Sequence, residues 1–355
     1  MRPSLLVAGA AATVLALSSC SPSTQDEIAD DSAETSPTTA QMQDAPSVVV
    51  TTTVLGSVVG EILTCAVGDD SSMTVLMPIG ADPHDFQASS AQVALMAGAD
   101  LVVANGLGLE EGVLDAVENV EADGVTVLEI AALVDPLPFG EEHEEEHSEA
   151  ESHDDHGHEG ELAGEEEHSE EESHDDHGHG EFDPHFWFDM ERMALAADLI
   201  GAELAVNGDE SFASCGESVA EEIRATDVLV ADTLSSVQEA NRVLVTDHDA
   251  LGYLAERYDF DVVGVVIPGG STLGDANSSD LADLVATIQN EGVRAIFGNT
   301  AGSPALLETL AAEVGGDVQV VELFVGSLGG PGSGAESYAE MMMTNATRIA
   351  SALAD

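Results

Sequence analysis

Short runs of β-branched and aliphatic residues, apolar on both faces, recur along this chain with helical stretches between them. No other feature constrains the fold as much. Residues 48–54, 73–77, 101–104 and 125–128 form a first set, and 243–245, 262–266, 295–297 and 318–321 form a second. Strands of this kind are buried on both sides, as in parallel sheets covered by helices. Helical patterns separate them. In the first set these include 89–97, where Ser89 and Gln92 have capping-box spacing, and 110–120. In the second set they lie near 250–258, 279–290, 304–314 and 336–354. Between the sets come 190–206 and a long amphipathic run over 217–237, in which Val219, Ile223, Val230, Leu234 and Val237 keep near-helical spacing. The expected fold class is α/β, with two βα lobes flanking one long helix.

Residues 141–180 break the alternation. They consist mainly of Glu, Asp, His, Ser and Gly, and they contain a tandem duplication in which His153-Asp154-Asp155-His156-Gly157-His158 returns as His174 to His179. Such a segment holds too little apolar surface to order itself, so a mobile loop is expected. Its nine histidines are His143, His147, His153, His156, His158, His168, His174, His177 and His179. An acidic spacer needs no imidazole, and the repeated histidines give this one an affinity for soft metals.

The first residues have the form of a targeting segment. Arg2 precedes an apolar run over 5–17, the length of a signal h-region and too short to span a bilayer. The run ends in Leu17-Ser18-Ser19-Cys20, which resembles a bacterial lipobox, with Cys20 as the lipidated residue. Residues 21–46, rich in Ser, Thr, Asp and Pro, then form a tether. The expected location is extracytoplasmic, anchored to the outer face of the cell membrane. Export leaves Cys65 and Cys215 as one pair, and an oxidising compartment favours a disulfide over two free thiols or a cysteine ligand pair. A bridge closing so long a loop contributes on the order of 4 kcal/mol in the chain-entropy model.

The 69 acidic residues face seven arginines and no lysine, for a formal net charge of -62. Nucleic acid is excluded as a partner, because binding phosphates requires a basic surface. The acidity extends well beyond the loop and fits a saline setting, where screening tames self-repulsion.

Only three of the 12 histidines lie outside the loop: His84, His185 and His248. His84 follows the 73–77 run, His248 follows the 243–245 run, and His185 sits in the crossover between the sets. In open α/β sheets the binding crevice lies beyond the carboxyl ends of the strands. Three imidazoles meeting there make a transition-metal site suited to zinc, with a fourth position left to water or a carboxylate. Ligands of this type bind metal only when deprotonated, so affinity is expected to fall as pH drops through ~6.5.

Three motifs carry a resemblance. Gly80-Ala81-Asp82-Pro83-His84-Asp85-Phe86, Asp183-Pro184-His185-Phe186-Trp187-Phe188-Asp189 and Thr246-Asp247-His248-Asp249-Ala250-Leu251-Gly252-Tyr253 resemble the ligand motifs of the zinc and manganese solute-binding lipoproteins of bacterial ABC importers, the ZnuA-like family (cluster A-I). The likeness covers nearly all of 47–355 and includes the acid/His loop just before the second motif. It implies lobes that each hold a four-stranded parallel sheet, one long backbone helix that restrains them, and a metal site in the interlobe cleft. The implied division is 1–19 signal peptide, 20–46 lipidated cysteine and tether, 47–188 first lobe, 189–240 linker helices and 241–355 second lobe. It also implies a monomer, no catalysis, and an ABC permease with its ATPase as partners; the composition of the loop, apart from the resemblance, makes its histidines candidate auxiliary metal ligands. Two positions depart from the family. Gly326 stands where many members carry a carboxylate ligand, and Asn299 stands where Glu is common. An all-imidazole set favours Zn2+ over Mn2+. The rival readings are a manganese receptor, a surface zinc buffer or adhesin, and a zinc hydrolase using the same three histidines.

Overall fold

The structure is a computed structural model and describes residues 46–68, 71–139, 180–315 and 318–354. Cys20, the signal and tether segments and the nine loop histidines lie outside the described residues. The described strands form two parallel sheets. β1 (Ser47–Val50), β2 (Ser72–Val75), β3 (Leu101–Ala104) and β4 (Thr126–Glu129) take the order β2-β1-β3-β4. β5 (Val243–His248), β6 (Asp261–Ile267), β7 (Ala295–Asn299) and β8 (Gln319–Leu323) repeat it as β6-β5-β7-β8. The α/β class and its two four-stranded sheets are as the sequence implied.

The two faces of each sheet serve different cores, as period-2 side-chain alternation requires. Val49 and Val102 point outward to α2 (Ser90–Ala97) and α3 (Leu114–Ala122), where Met96 and Val117 cover them. Val245 and Ile296 likewise meet α7 (Ser278–Glu291) and α8 (Ala305–Val314). The inner faces share one apolar cluster. Val48, Val50 and Val103 of the first sheet belong to it together with Leu244, Ala295 and Phe297 of the second. The cluster is completed by α1 (Thr53–Val67), α4 (Met190–Asn207), α5 (Ser211–Ser235), α6 (Gly252–Tyr258) and α9 (Tyr338–Leu353). Among the described residues no helix is long and apolar enough to cross a membrane.

Three boundaries differ from the sequence expectation for identifiable reasons. The first strand ends at Val50, not at residue 54, because the Thr52 side chain accepts the N–H of Leu55 and starts α1. The third helix begins at Leu114, not at residue 110, because the Glu110 carboxylate is buried and holds the preceding loop. It accepts from Thr51 Oγ1 at 2.6 Å, Asn105 N at 2.7 Å and Gly106 N at 3.1 Å. The long helix begins at Ser211 and passes straight through Gly216. That glycine lets α5 cross α4 closely, since a Cβ on it would stand 2.9 Å from Gly201 Cα. The adjacent Cys215 of α5 is bonded to Cys65 of α1, with Cα atoms 5.8 Å apart.

Candidate metal centre

In both sheets the strand order reverses beside the first strand, which places a crevice at the carboxyl ends of β1 and β3 and another at those of β5 and β7. His248 is the last residue of β5, so the sheet itself fixes its backbone. His84 and His185 sit in loops and need other supports. Both belong to the tripeptide Asp-Pro-His, and in both the Asp Oδ1 accepts the N–H of the His two residues on, at 3.1 Å for Asp82 and 2.9 Å for Asp183. Proline fixes the turn between them. The loop of His84 is tied to the far half of the chain, where Ser327 Oγ accepts from Gly80 N at 2.8 Å. Asn105 Nδ2 donates to Pro184 O at 2.9 Å and Tyr253 OH to Asp183 O at 2.9 Å, so residues from both halves hold the second motif.

These supports bring the three histidines together. All are buried, at 2% exposure for His84 and 1% each for His185 and His248. One ligand atom from each lies within 4.8 Å of the other two. The ring centroids are separated by 5.5 Å for His84 and His185, 5.6 Å for His84 and His248, and 5.2 Å for His185 and His248. His185 Nδ1 is paired with Asp183 Oδ1 at 2.7 Å and His248 Nδ1 with Asp247 Oδ1 at 2.9 Å. A carboxylate on Nδ1 fixes the tautomer and leaves Nε2 with its lone pair. His84 Nε2 faces His185 Nε2 at 3.4 Å, and His248 Nε2 is buried without a hydrogen-bond partner.

Burial sets the protonation of this group. It is the largest influence on His84, whose pKa is pushed down to about 3 with help from the neighbouring His185 and His248. His185 is held well below the ordinary imidazole range for the same reason. Burial pushes Asp183 up to about 7 and Asp249 up to about 6. Asp247 goes the other way and lies below the usual carboxylate range. Its own burial, the largest influence, opposes this but is outweighed by hydrogen bonds from His248 and Asn299 and the charge of His248.

The two departures from the family motifs have structural explanations. A Cβ on Gly326 would stand 2.5 Å from Pro83 Cδ, so the backbone there packs on the turn that presents His84. Asn299 is not aimed at the cluster: its Oδ1 accepts from Ala301 N at 3.0 Å, while its own N–H donates to Asp247 Oδ2 at 2.7 Å. It acts on His248 through Asp247. Among the described residues no carboxylate joins the three-histidine group. The only tryptophan, Trp187, is buried with its ring 5.2 Å from that of His185, and its Nε1 donates to Val325 O at 3.0 Å. Sequence reasoning found the imidazoles and missed their carboxylate partners. The repeated Asp-Pro-His and the adjacent Asp247 were the signal available for them.

The family described as zinc-uptake complex component A, periplasmic (ZnuA), matches residues 48–352. The chain is 25% identical over 300 residues to a manganese-binding lipoprotein, MntA, of Halalkalibacterium halodurans, covering 84% of this chain and 86% of that one. It is 26% identical over 318 residues to the zinc-binding protein TroA of Treponema pallidum, covering 88% and 90%. The solved structure of that periplasmic zinc-binding protein superposes with a TM-score of 0.69 over 87% of this chain and 99% of the other.

Proposed function

The chain belongs to the zinc-uptake complex component A family, and on that premise we propose that it is an extracytoplasmic receptor that captures Zn2+ at His84, His185 and His248 for delivery to an ABC permease and its ATPase. The family is one of metal-uptake components and not of enzymes, so the metal is cargo and no bond is made or broken. Names among the relatives cover both zinc and manganese. The zinc reading rests on the donor set.

One observation carries it. His84 Nε2 and His185 Nε2 lie 3.4 Å apart, and two nitrogens each ~2.05 Å from a tetrahedral zinc are ~3.3 Å apart. Two of the rings are neutral by burial, which is the state that binds metal, and His185 and His248 already have a carboxylate on the far nitrogen. Manganese prefers oxygen-rich coordination, and the described residues offer none within the cluster. Membrane attachment through Cys20 and metal collection by the loop histidines complete the proposal.

Competitive titration of the full chain with Zn2+ and Mn2+ against a chelator tests this. The expected result is one tight zinc equivalent that is lost in His185→Ala, with manganese at least 100-fold weaker. Equal or tighter manganese binding would select the manganese receptor. Absence of a tight equivalent for either metal would sink the receptor reading.

A further inference from the structure

The two Asp-Pro-His turns share one bond and differ in another. Asp183 takes both the N–H of His185 and its Nδ1. Asp82 takes the N–H of His84 but makes no bond to its ring, and its other oxygen accepts Thr272 Oγ1 at 2.8 Å from the far half of the chain. His84 Nδ1 is consequently buried with no hydrogen-bond partner. Glu111 Oε1 stands 4.0 Å away, on a side chain 44% exposed at the mouth of a cavity of about 540 Å³. The same oxygen accepts Ser271 Oγ at 2.6 Å, so Glu111 is held from across the mouth. Gly270, the residue before Ser271, packs against the Phe139 ring so closely that it has no room for a Cβ.

Building on the three-histidine zinc reading, we propose that Glu111 is the third positioning carboxylate of the site. It moves about 1 Å to accept the Nδ1–H of His84 when Nε2 takes the metal, within the reach of an ordinary hydrogen bond. Three observations converge on it. A buried imidazole nitrogen is orphaned, the other two histidines are completed by a carboxylate at the same atom, and the residue in line is anchored on the opposite half. A metal-bound imidazole is more acidic at its remaining N–H and strengthens a bond to an anion there. Glu111 differs from Asp183 and Asp247 in being exposed and tethered by Ser271. The support of His84 therefore exists only while the two sides of the mouth are joined, and parting Ser271 from Glu111 weakens the grip on the cargo.

The test uses the full chain, zinc with a competing chelator, stopped-flow release, and Co2+ absorption as a report on ligand orientation. Glu111→Ala is expected to weaken zinc 10–100-fold, about the size of such partners elsewhere, with one equivalent still bound, faster release and a shifted Co2+ band. Glu111→Gln, whose amide oxygen still accepts a hydrogen bond, is expected to recover part of this, and Ser271→Ala to speed release by less. Wild-type affinity and spectrum in Glu111→Ala would overturn the proposal. So would Glu111→Gln matching Glu111→Ala, which would mark a purely electrostatic effect. Should Glu111→Ala fail to fold, the zinc-loaded wild type decides by NMR. A protected, downfield His84 Nδ1 proton that shifts in Glu111→Gln is expected, and its absence overturns the proposal. Failure of the receptor reading is separate and shows as a wild-type chain with no zinc equivalent sensitive to His185→Ala.

Discussion

Gly326 and Pro83 are in backbone-to-ring contact: a single added carbon on Gly326 would come within 2.5 Å of Pro83 Cδ and 2.9 Å of Cγ. The space that a side chain at residue 326 would need is occupied by the turn that presents His84. Gly326→Asp is therefore expected to push that turn rather than supply a fourth ligand. Overpacking of this kind costs ~1–3 kcal/mol. Chemical denaturation should show a lower midpoint, and zinc titration a weaker site. Tighter zinc binding in the variant would contradict the packing argument.

Removing the partner of an imidazole is expected to cost less than removing the imidazole. Asp183→Ala takes away the acceptor of His185 Nδ1 and should weaken zinc ~10–100-fold, whereas His185→Ala should abolish the tight equivalent. Chelator competition on both variants gives the ordering directly, and equal losses would deny Asp183 a supporting role.

Burial changes the pH behaviour expected from the sequence. With His84 pushed down to about 3 and His185 well below its ordinary range, neither ring holds a proton near pH 6 in the folded chain. Zinc affinity should therefore show no two-proton break near pH 6.5, and ring resonances of both residues should stay neutral down to pH 5. Either ring titrating near ~6.5 would contradict the geometry. For stability, a depressed folded pKa contributes above the unfolded value of ~6.5 and is lost as pH falls toward the folded one. Asp183 and Asp249 are raised to about 7 and about 6, so their contributions are present below ~3.9 and lost as pH rises through those values. Between pH 4 and 6 the two pairs oppose one another. Asp249→Asn removes one opposing group, and metal-free stability should then rise ~1.4 kcal/mol per pH unit more steeply than in the wild type.

The Cys65–Cys215 bridge joins α1 to α5 and belongs to the central apolar cluster through Cys215. The double change Cys65→Ala and Cys215→Ala should cost ~2–5 kcal/mol of stability and leave the zinc affinity of the folded fraction within about twofold. Thermal melts and titration under the same conditions separate the two effects. A large loss of affinity in a fully folded variant would mean that the bridge also shapes the site.

The strands were legible because each is apolar on both faces, and the three imidazoles because so few histidines lie outside the acidic tract. Thr51-Thr52-Thr53 misled as strand, since β-branched residues fit a sheet and a helix cap equally well, and only the bond from Leu55 N decides between them. Glu110 misled as helix because nothing in a sequence marks a glutamate as buried. The partners of the histidines were hidden in a similar way. Asp82 and Asp183 sit in identical tripeptides, yet one carboxylate bonds the ring of its histidine and the other bonds Thr272, which is distant in sequence. Gly326 could be read only as a missing ligand until Pro83 was seen against it.

The apolar interior that joins Val48 of one sheet to Phe297 of the other bears on how such a carrier lets go. Among the described residues this cluster is continuous across both sheets. Exposing ~400 Å² of that interior would cost ~10 kcal/mol, comparable to the ~5–15 kcal/mol that keeps a whole domain folded. A wide swing of the sheets is therefore rare in thermal motion, and on the proposed reading cargo exchange acts at loop bonds of the mouth such as Ser271 to Glu111 and Thr272 to Asp82. On that reading the chain is a stiff bracket, and an importer that takes its metal works against the dwell time of those bonds.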